Sequence, residues 1–189
     1  MPVILIYGDS NVWGANFRGA RVRASNRWVN VLKRRLRGKF TLVSNGICGR
    51  VAGDFRTDKP HKNGRSDFAV EVEKIQPNLV IIALGTNDFQ QRFLRSIDQI
   101  LTDLLWYEKA APNSKVVYLL PPKFDAVEAG SEFTKKSLEL RDELTELLPN
   151  KAVCLHADDV PLSDGLHFST AGHRQVAKVV GDWILANNV

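Results

Sequence analysis

Ser10 directly follows a short apolar run, in Gly8-Asp9-Ser10, and Asp164 and His167 lie three residues apart near the other end of the chain. A serine hydroxyl is a weak nucleophile until a base takes its proton, and histidine serves best as that base when a carboxylate fixes its tautomer. In Asp164-Gly165-Leu166-His167 the carboxylate has room to fold back on the imidazole Nδ1 and leave Nε2 to face Ser10. Acyl transfer also develops an oxyanion, which preorganised donors must meet. Asn87, in Gly85-Thr86-Asn87-Asp88, offers a side-chain amide, and the backbone N–H groups of Ser10 and Gly49 offer two more. Each residue alone has an ordinary reading, since Asp, Asn and Ser all form turns. Together they supply every part of a serine esterase.

Elements that could position these groups alternate along the chain as short apolar runs and helical patterns, the signature of βαβ units and a parallel sheet. Five strands are predicted. Residues 3–7 and 79–84 are nearly continuous apolar runs, as in strands covered on both faces, and 40–43, 115–120 and 152–155 are shorter. Ser25 can cap a helix with Trp28, Val31, Leu32 and Leu36 on one face, and Ser66 another with Phe68, Val72 and Ile75 inward. A third helix is predicted over 93–109, a fourth over 134–148, and a last one opening at Thr170. The expected fold is α/β, a five-stranded parallel sheet in one domain over 1–189. The segments 48–64 and 121–130 lack periodicity; loops of that length inside a compact domain are usually functional, and the second is expected to wall a substrate pocket.

Composition narrows the class. Hydrophobic residues at 44% and charged residues at 25% are ordinary globular values and exclude disordered, fibrous and membrane-spanning chains. The net charge is +5, with basic residues grouped in Lys33-Arg34-Arg35, Arg37 and Lys39 and again in Arg56, Lys59, Lys62 and Arg65. Aromatic residues are not interleaved with them in sequence, so no nucleic-acid partner is expected. No secretory leader is visible and Cys48 and Cys154 read as free thiols, which places the protein in the cytoplasm. His and Cys lack ligand spacing, so neither metal nor cofactor is expected. The expected partner is a small-molecule ester, and a homo-oligomer is compatible with the composition.

The blocks IYGDSNVWG, NGICGRV, LGTNDF and DGLHFSTAGH appear in order over residues 4–173, and with them the chain resembles the SGNH hydrolases, also called the GDSL esterase and lipase family. The resemblance implies a flavodoxin-like three-layer α/β/α sandwich, with Ser10 as nucleophile, His167 as base and Asp164 as its orienter. It also implies an oxyanion hole of Ser10, Gly49 and Asn87, and it is what favours Gly49 over Gly46. Two departures stand out: Asn11 occupies the place of the family's usual leucine, and Cys48 a place more often serine. Asn11 is expected to alter packing or the pocket wall, and Cys48 is a rival nucleophile on thiol chemistry alone.

The reaction expected is hydrolysis of small or short-chain acyl esters, such as aryl esters or sugar O-acetyl groups, through an acyl-enzyme. Acyl transfer or thioester hydrolysis would use the same groups. A non-catalytic polyanion-binding module on the same fold is the alternative outside enzymology. A flavin mononucleotide binder would fit the fold but lacks a phosphate-cradling loop after the first strand.

Overall fold

A computed structural model describes residues 1–15 and 23–187. Five parallel strands form one sheet in the order β2-β1-β3-β4-β5: β1 Val3–Gly8, β2 Thr41–Gly46, β3 Leu79–Ala83, β4 Lys115–Leu119 and β5 Cys154–Leu155. Among the described residues six α-helices accompany them, α1 Ser10–Trp13, α2 Trp28–Arg35, α3 Phe68–Ile75, α4 Ile97–Ala110, α5 Lys135–Leu147 and α6 Thr170–Ala186.

The period of two along a strand sends alternate side chains to opposite faces, and each face has its own helices. Ile4 and Ile6 of β1, Leu79 and Ile81 of β3, and Val117 and Leu119 of β4 pack with Trp28, Leu32, Val176, Val180 and Ile184 of α2 and α6. Leu5, Tyr7, Val80, Ile82, Val116 and Tyr118 pack instead with Phe68, Ile100, Leu104, Tyr107 and Leu144 of α3, α4 and α5. Burial on both faces explains why β1 and β3 are apolar without alternation. The result is the expected three-layer α/β/α sandwich with a five-stranded parallel sheet.

Differences from the sequence expectations lie at element ends. Trp28 opens α2 with no side-chain cap, so Ser25 does not cap it, and α3 likewise has no side-chain cap from Ser66. The helix predicted from residue 93 begins at Ile97, because Leu94 turns left-handed at φ 49° and Ser96 then caps Gln99 in a reciprocal capping box. α6 does open at Thr170 as expected, with Ser169 as its cap. The edge strand β5 is only two residues long, its neighbour Val153 being 45% exposed. The short helix α1 was not expected; four residues carry no readable periodicity.

The order 2-1-3-4-5 reverses direction between β1 and β3, and ligands of open α/β sheets bind in the crevice at such a reversal, beyond the carboxyl ends of the strands. Gly8, Gly46 and Ala83 end β1, β2 and β3 side by side, Gly8 in register with both others. The first three sequence blocks therefore emerge together. A methyl group on Gly8 would lie 2.4 Å from Val12 Cγ2, and one on Gly46 would lie 2.3 Å from the Trp13 backbone N, so α1 rests directly on the strand ends only because both residues are glycine.

Candidate active site

Asp9 ends the turn after β1 and caps α1, its carboxylate accepting from Asn11 N at 2.9 Å; Ser10 is the first helical residue. On the far side of the cleft, Asp164 folds back over its own turn. Its Oδ1 accepts from the backbone N–H of His167 at 2.7 Å and of Leu166 at 3.2 Å, and its Oδ2 lies 2.8 Å from His167 Nδ1. With the carboxylate on Nδ1, that nitrogen carries the proton and Nε2 is left as an acceptor. His167 Nε2 is 3.1 Å from Ser10 Oγ. Partial burial raises the Asp164 carboxyl, but the bonds from the His167 ring and backbone outweigh it and hold the group below the ordinary carboxylate range.

The Asp164–His167 loop is held by residues that no sequence pattern ties to it. Asn11 spans His167: its Nδ2 donates to Leu166 O at 3.3 Å, and its Oδ1 accepts from Phe168 N at 3.0 Å. The residue next to Ser10 thus fixes the backbone on both sides of the histidine. Asn11 is 5% exposed and acts on the histidine loop through these two hydrogen bonds. Segment 121–130 packs on the loop from outside, where Asp125 N donates to Gly165 O at 2.8 Å and Glu128 lies against Gly165.

Gly49 stands in the turn after β2 at φ 76°, a conformation natural to glycine. Among the described residues neither its N–H nor that of Ser10 donates to a protein acceptor. Asn87 sits in the 3-10 turn Thr86–Phe89 that follows β3; its Nδ2 gives one hydrogen to Arg50 O at 3.0 Å and its Oδ1 accepts from Gln90 at 3.1 Å. The second amide hydrogen of Asn87 has no protein acceptor among the described residues.

Arg50, 1% exposed, ties these turns together. Its guanidinium donates to Gly8 O and Asn45 O, both at 3.0 Å, and lies 4.0 Å from the centre of the Tyr7 ring, while its own carbonyl holds Asn87. One buried cation thus connects the ends of β1, β2 and β3. Its only sequence signal was a place inside NGICGRV.

Two carboxyl groups are buried behind the cleft. Burial pushes Asp9 up to about 6, against the opposing pull of its bond from Asn11, and pushes Asp88, which accepts from Ala52 N at 2.8 Å, up to about 7. Burial and the nearby Asp9 charge also raise the Cys48 thiol, so its thiolate is disfavoured. His173 packs inside, accepting from Trp28 N at 3.2 Å, and burial lowers it to about 4. His61 and His156 are exposed, His156 beside Asp158. Among the described residues no group of three His, Cys, Asp or Glu converges as a metal site would require, and no helix is long and apolar enough to cross a membrane.

Serine, histidine and carboxylate thus gather at the switch point of a five-stranded parallel sheet, and comparison with known proteins names the family. The model of the GDSL-like lipase/acylhydrolase family matches residues 6–175, and the chain belongs to this family of carboxylic ester hydrolases. Its fold is shared by the aryl esterase of M. smegmatis, with a TM-score of 0.88 at 24% identity over 98% of this chain and 99% of that one. Est24, a carbohydrate acetylesterase from Sinorhizobium meliloti, superposes at a TM-score of 0.82 and 22% identity over 98% and 99% of the two chains. Among curated proteins, the uncharacterized lipoprotein YqeF of Bacillus subtilis is 31% identical over 85 residues, a stretch covering 45% of this chain and 31% of that relative.

Proposed function

We propose that this protein is a serine esterase acting on small or short-chain acyl esters through an acyl-enzyme on Ser10. The observation that carries the reading is the unbroken contact chain from Asp164 through His167 to Ser10, at 2.8 and 3.1 Å. As Ser10 Oγ attacks the carbonyl carbon, His167 Nε2 takes its proton, and Asp164 stabilises the imidazolium that forms. The carbonyl oxygen, now an oxyanion, receives the Ser10 and Gly49 N–H groups and the free amide hydrogen of Asn87. His167 returns the proton to the leaving alcohol as the C–O bond breaks. Water then attacks the acyl-enzyme with His167 again as base, and Ser10 is released with the carboxylic acid.

The names of two structural neighbours, an aryl esterase and a carbohydrate acetylesterase, point to aryl acetates and acetylated sugars as first substrates to try. The free cysteines Cys48 and Cys154 support a reducing compartment, the cytoplasm.

The test is a ladder of p-nitrophenyl esters from acetate to palmitate, run with the unmodified chain, Ser10→Ala and Cys48→Ala. Turnover that peaks at short chains, is lost in Ser10→Ala and persists in Cys48→Ala is expected. Full activity in Ser10→Ala would refute the assignment, and loss in Cys48→Ala alone would move the nucleophile to sulfur.

A further inference from the structure

The turn bearing Gly49 lies against the turn Pro60–Lys62. Val51 N donates to Lys62 O at 3.0 Å, and Arg56 Nη1 donates to Gly49 O at 3.2 Å. The half-buried Lys62 side chain crosses Gly49, its ammonium 3.0 Å from where a methyl group on that glycine would stand. Its field reaches Cys48, and the cations acting on it are Lys59 and Arg56 from its own segment and Arg92 from the turn after β3.

Two of these four cations are neutralised, Arg56 by Asp58 at 2.7 Å and Arg92 by Glu132 at 3.0 Å. Lys59 and Lys62 have no carboxylate within 4.0 Å among the described residues, so the ammonium that crosses Gly49 is without an ion-pair partner. Like charges brought together and partly desolvated repel, and a bound anion removes that cost. The cations also rest on aromatic rings. Arg56 and Arg92 lie 5.2 and 4.7 Å from the centre of Phe93, Arg95 lies 4.2 Å from that of Phe55, and the two rings meet edge to face at 5.2 Å. Arg56 on Phe93 and Arg95 on Phe55 thus bring together basic and aromatic residues that lie far apart in sequence.

We infer that the substrate carries an anionic group, a carboxylate, phosphate or sulfate on its acyl or alcohol part, which Lys62 receives while the ester carbonyl lies at Ser10. The inference rests on the serine-esterase reading and names the substrate class of that same site. Charge recognition at a partly exposed cation is worth about tenfold in kcat/KM and weakens as salt screens it.

Two matched ester pairs test it. Mono-4-nitrophenyl glutarate against 4-nitrophenyl valerate places the charge on the acyl side, and 4-acetoxybenzoate against phenyl acetate places it on the alcohol side. The expected result is about a tenfold preference for the anion in one pair at low salt, shrinking as salt rises, abolished in Lys62→Met and inverted in Lys62→Glu. The pair that responds assigns the side. Taking the ratio within a pair cancels any general effect of the substitutions on folding or on oxyanion stabilisation. A ratio near one in both pairs, or one unchanged in Lys62→Met, overturns the inference; if Ser10-dependent turnover of the neutral esters persists, the esterase reading stands without it. Absence of turnover on all four esters would overturn both.

Discussion

Replacing Asn11 with leucine, the residue usual in this family, asks whether the loop carrying His167 is held from the nucleophile's own helix. The two side chains share the same branching, so the change removes two hydrogen bonds, and the bulkier leucine methyl groups add some crowding. Phe168 is 2% exposed, and its N–H, which donates to Asn11 Oδ1 at 3.0 Å, is left unpaired at a cost of about 1–3 kcal/mol. The Leu166 carbonyl, which accepts from Asn11 Nδ2 at 3.3 Å, is partly exposed and can turn to water, adding about 0.5–1 kcal/mol. Unfolding in urea is expected to show a loss of about 1.5–4 kcal/mol, the sum of the two. Because the lost bonds flank His167, its ring shifts against Ser10; a misplacement on the order of 1 Å costs about a hundredfold, read in kcat with KM within about threefold. In a Ser10→Ala background Asn11→Leu removes no further activity. A folded Asn11→Leu enzyme with the kcat of the parent would refute the reasoning.

Steady-state kinetics on a p-nitrophenyl ester should show Asn87→Ala lowering kcat by about 10²–10³-fold, the usual loss of one oxyanion donor. Asp164→Asn, which disturbs the tautomer at His167 Nδ1, should lower kcat by about 10⁴-fold at nearly unchanged KM. Gly49→Ala places a side chain at φ 76° and against the Lys62 ammonium, so a melting curve should show about 1–2 kcal/mol of strain along with reduced kcat. His173 is the clearest source of acid sensitivity outside the cleft. Its ring is held neutral in the fold down to about 4 against 6.5 unfolded, so below 6.5 the unfolded chain binds the proton first. Its contribution is complete above 6.5 and is lost as pH falls toward 4: between pH 7 and 4.5, urea denaturation should show the parent losing about 2.5 kcal/mol more than His173→Gln.

The strands β1 and β3 could be read from sequence because burial on both faces demands unbroken apolar runs, and nothing but a strand of a covered sheet fits five or six such residues between turn signals. Helix starts were less readable. Leu94 breaks the pattern by backbone conformation alone, and the reciprocal Ser96–Gln99 cap is visible only once the turn is known. In the candidate site, Ser10, Asp164 and His167 announce themselves by residue type and local spacing. What surrounds them does not. Asn11 reaches a loop 155 residues away, and Arg50 joins three strand ends through backbone carbonyls, which any residue supplies and no sequence pattern marks. The Arg–Phe cluster is hidden for a similar reason, since Phe55 and Arg56 meet Arg92, Phe93 and Arg95 only after folding.

The central claim is that Ser10 is the nucleophile, and covalent labelling tests it most directly. The protein is treated with a fluorophosphonate that mimics the tetrahedral intermediate, and intact mass and peptide mapping locate the adduct. The account predicts one adduct per chain on Ser10, formed equally in Cys48→Ala, slowed strongly in Asp164→Asn and absent in Ser10→Ala. An adduct on another residue of the unmodified chain, or undiminished labelling of Ser10→Ala, would contradict it.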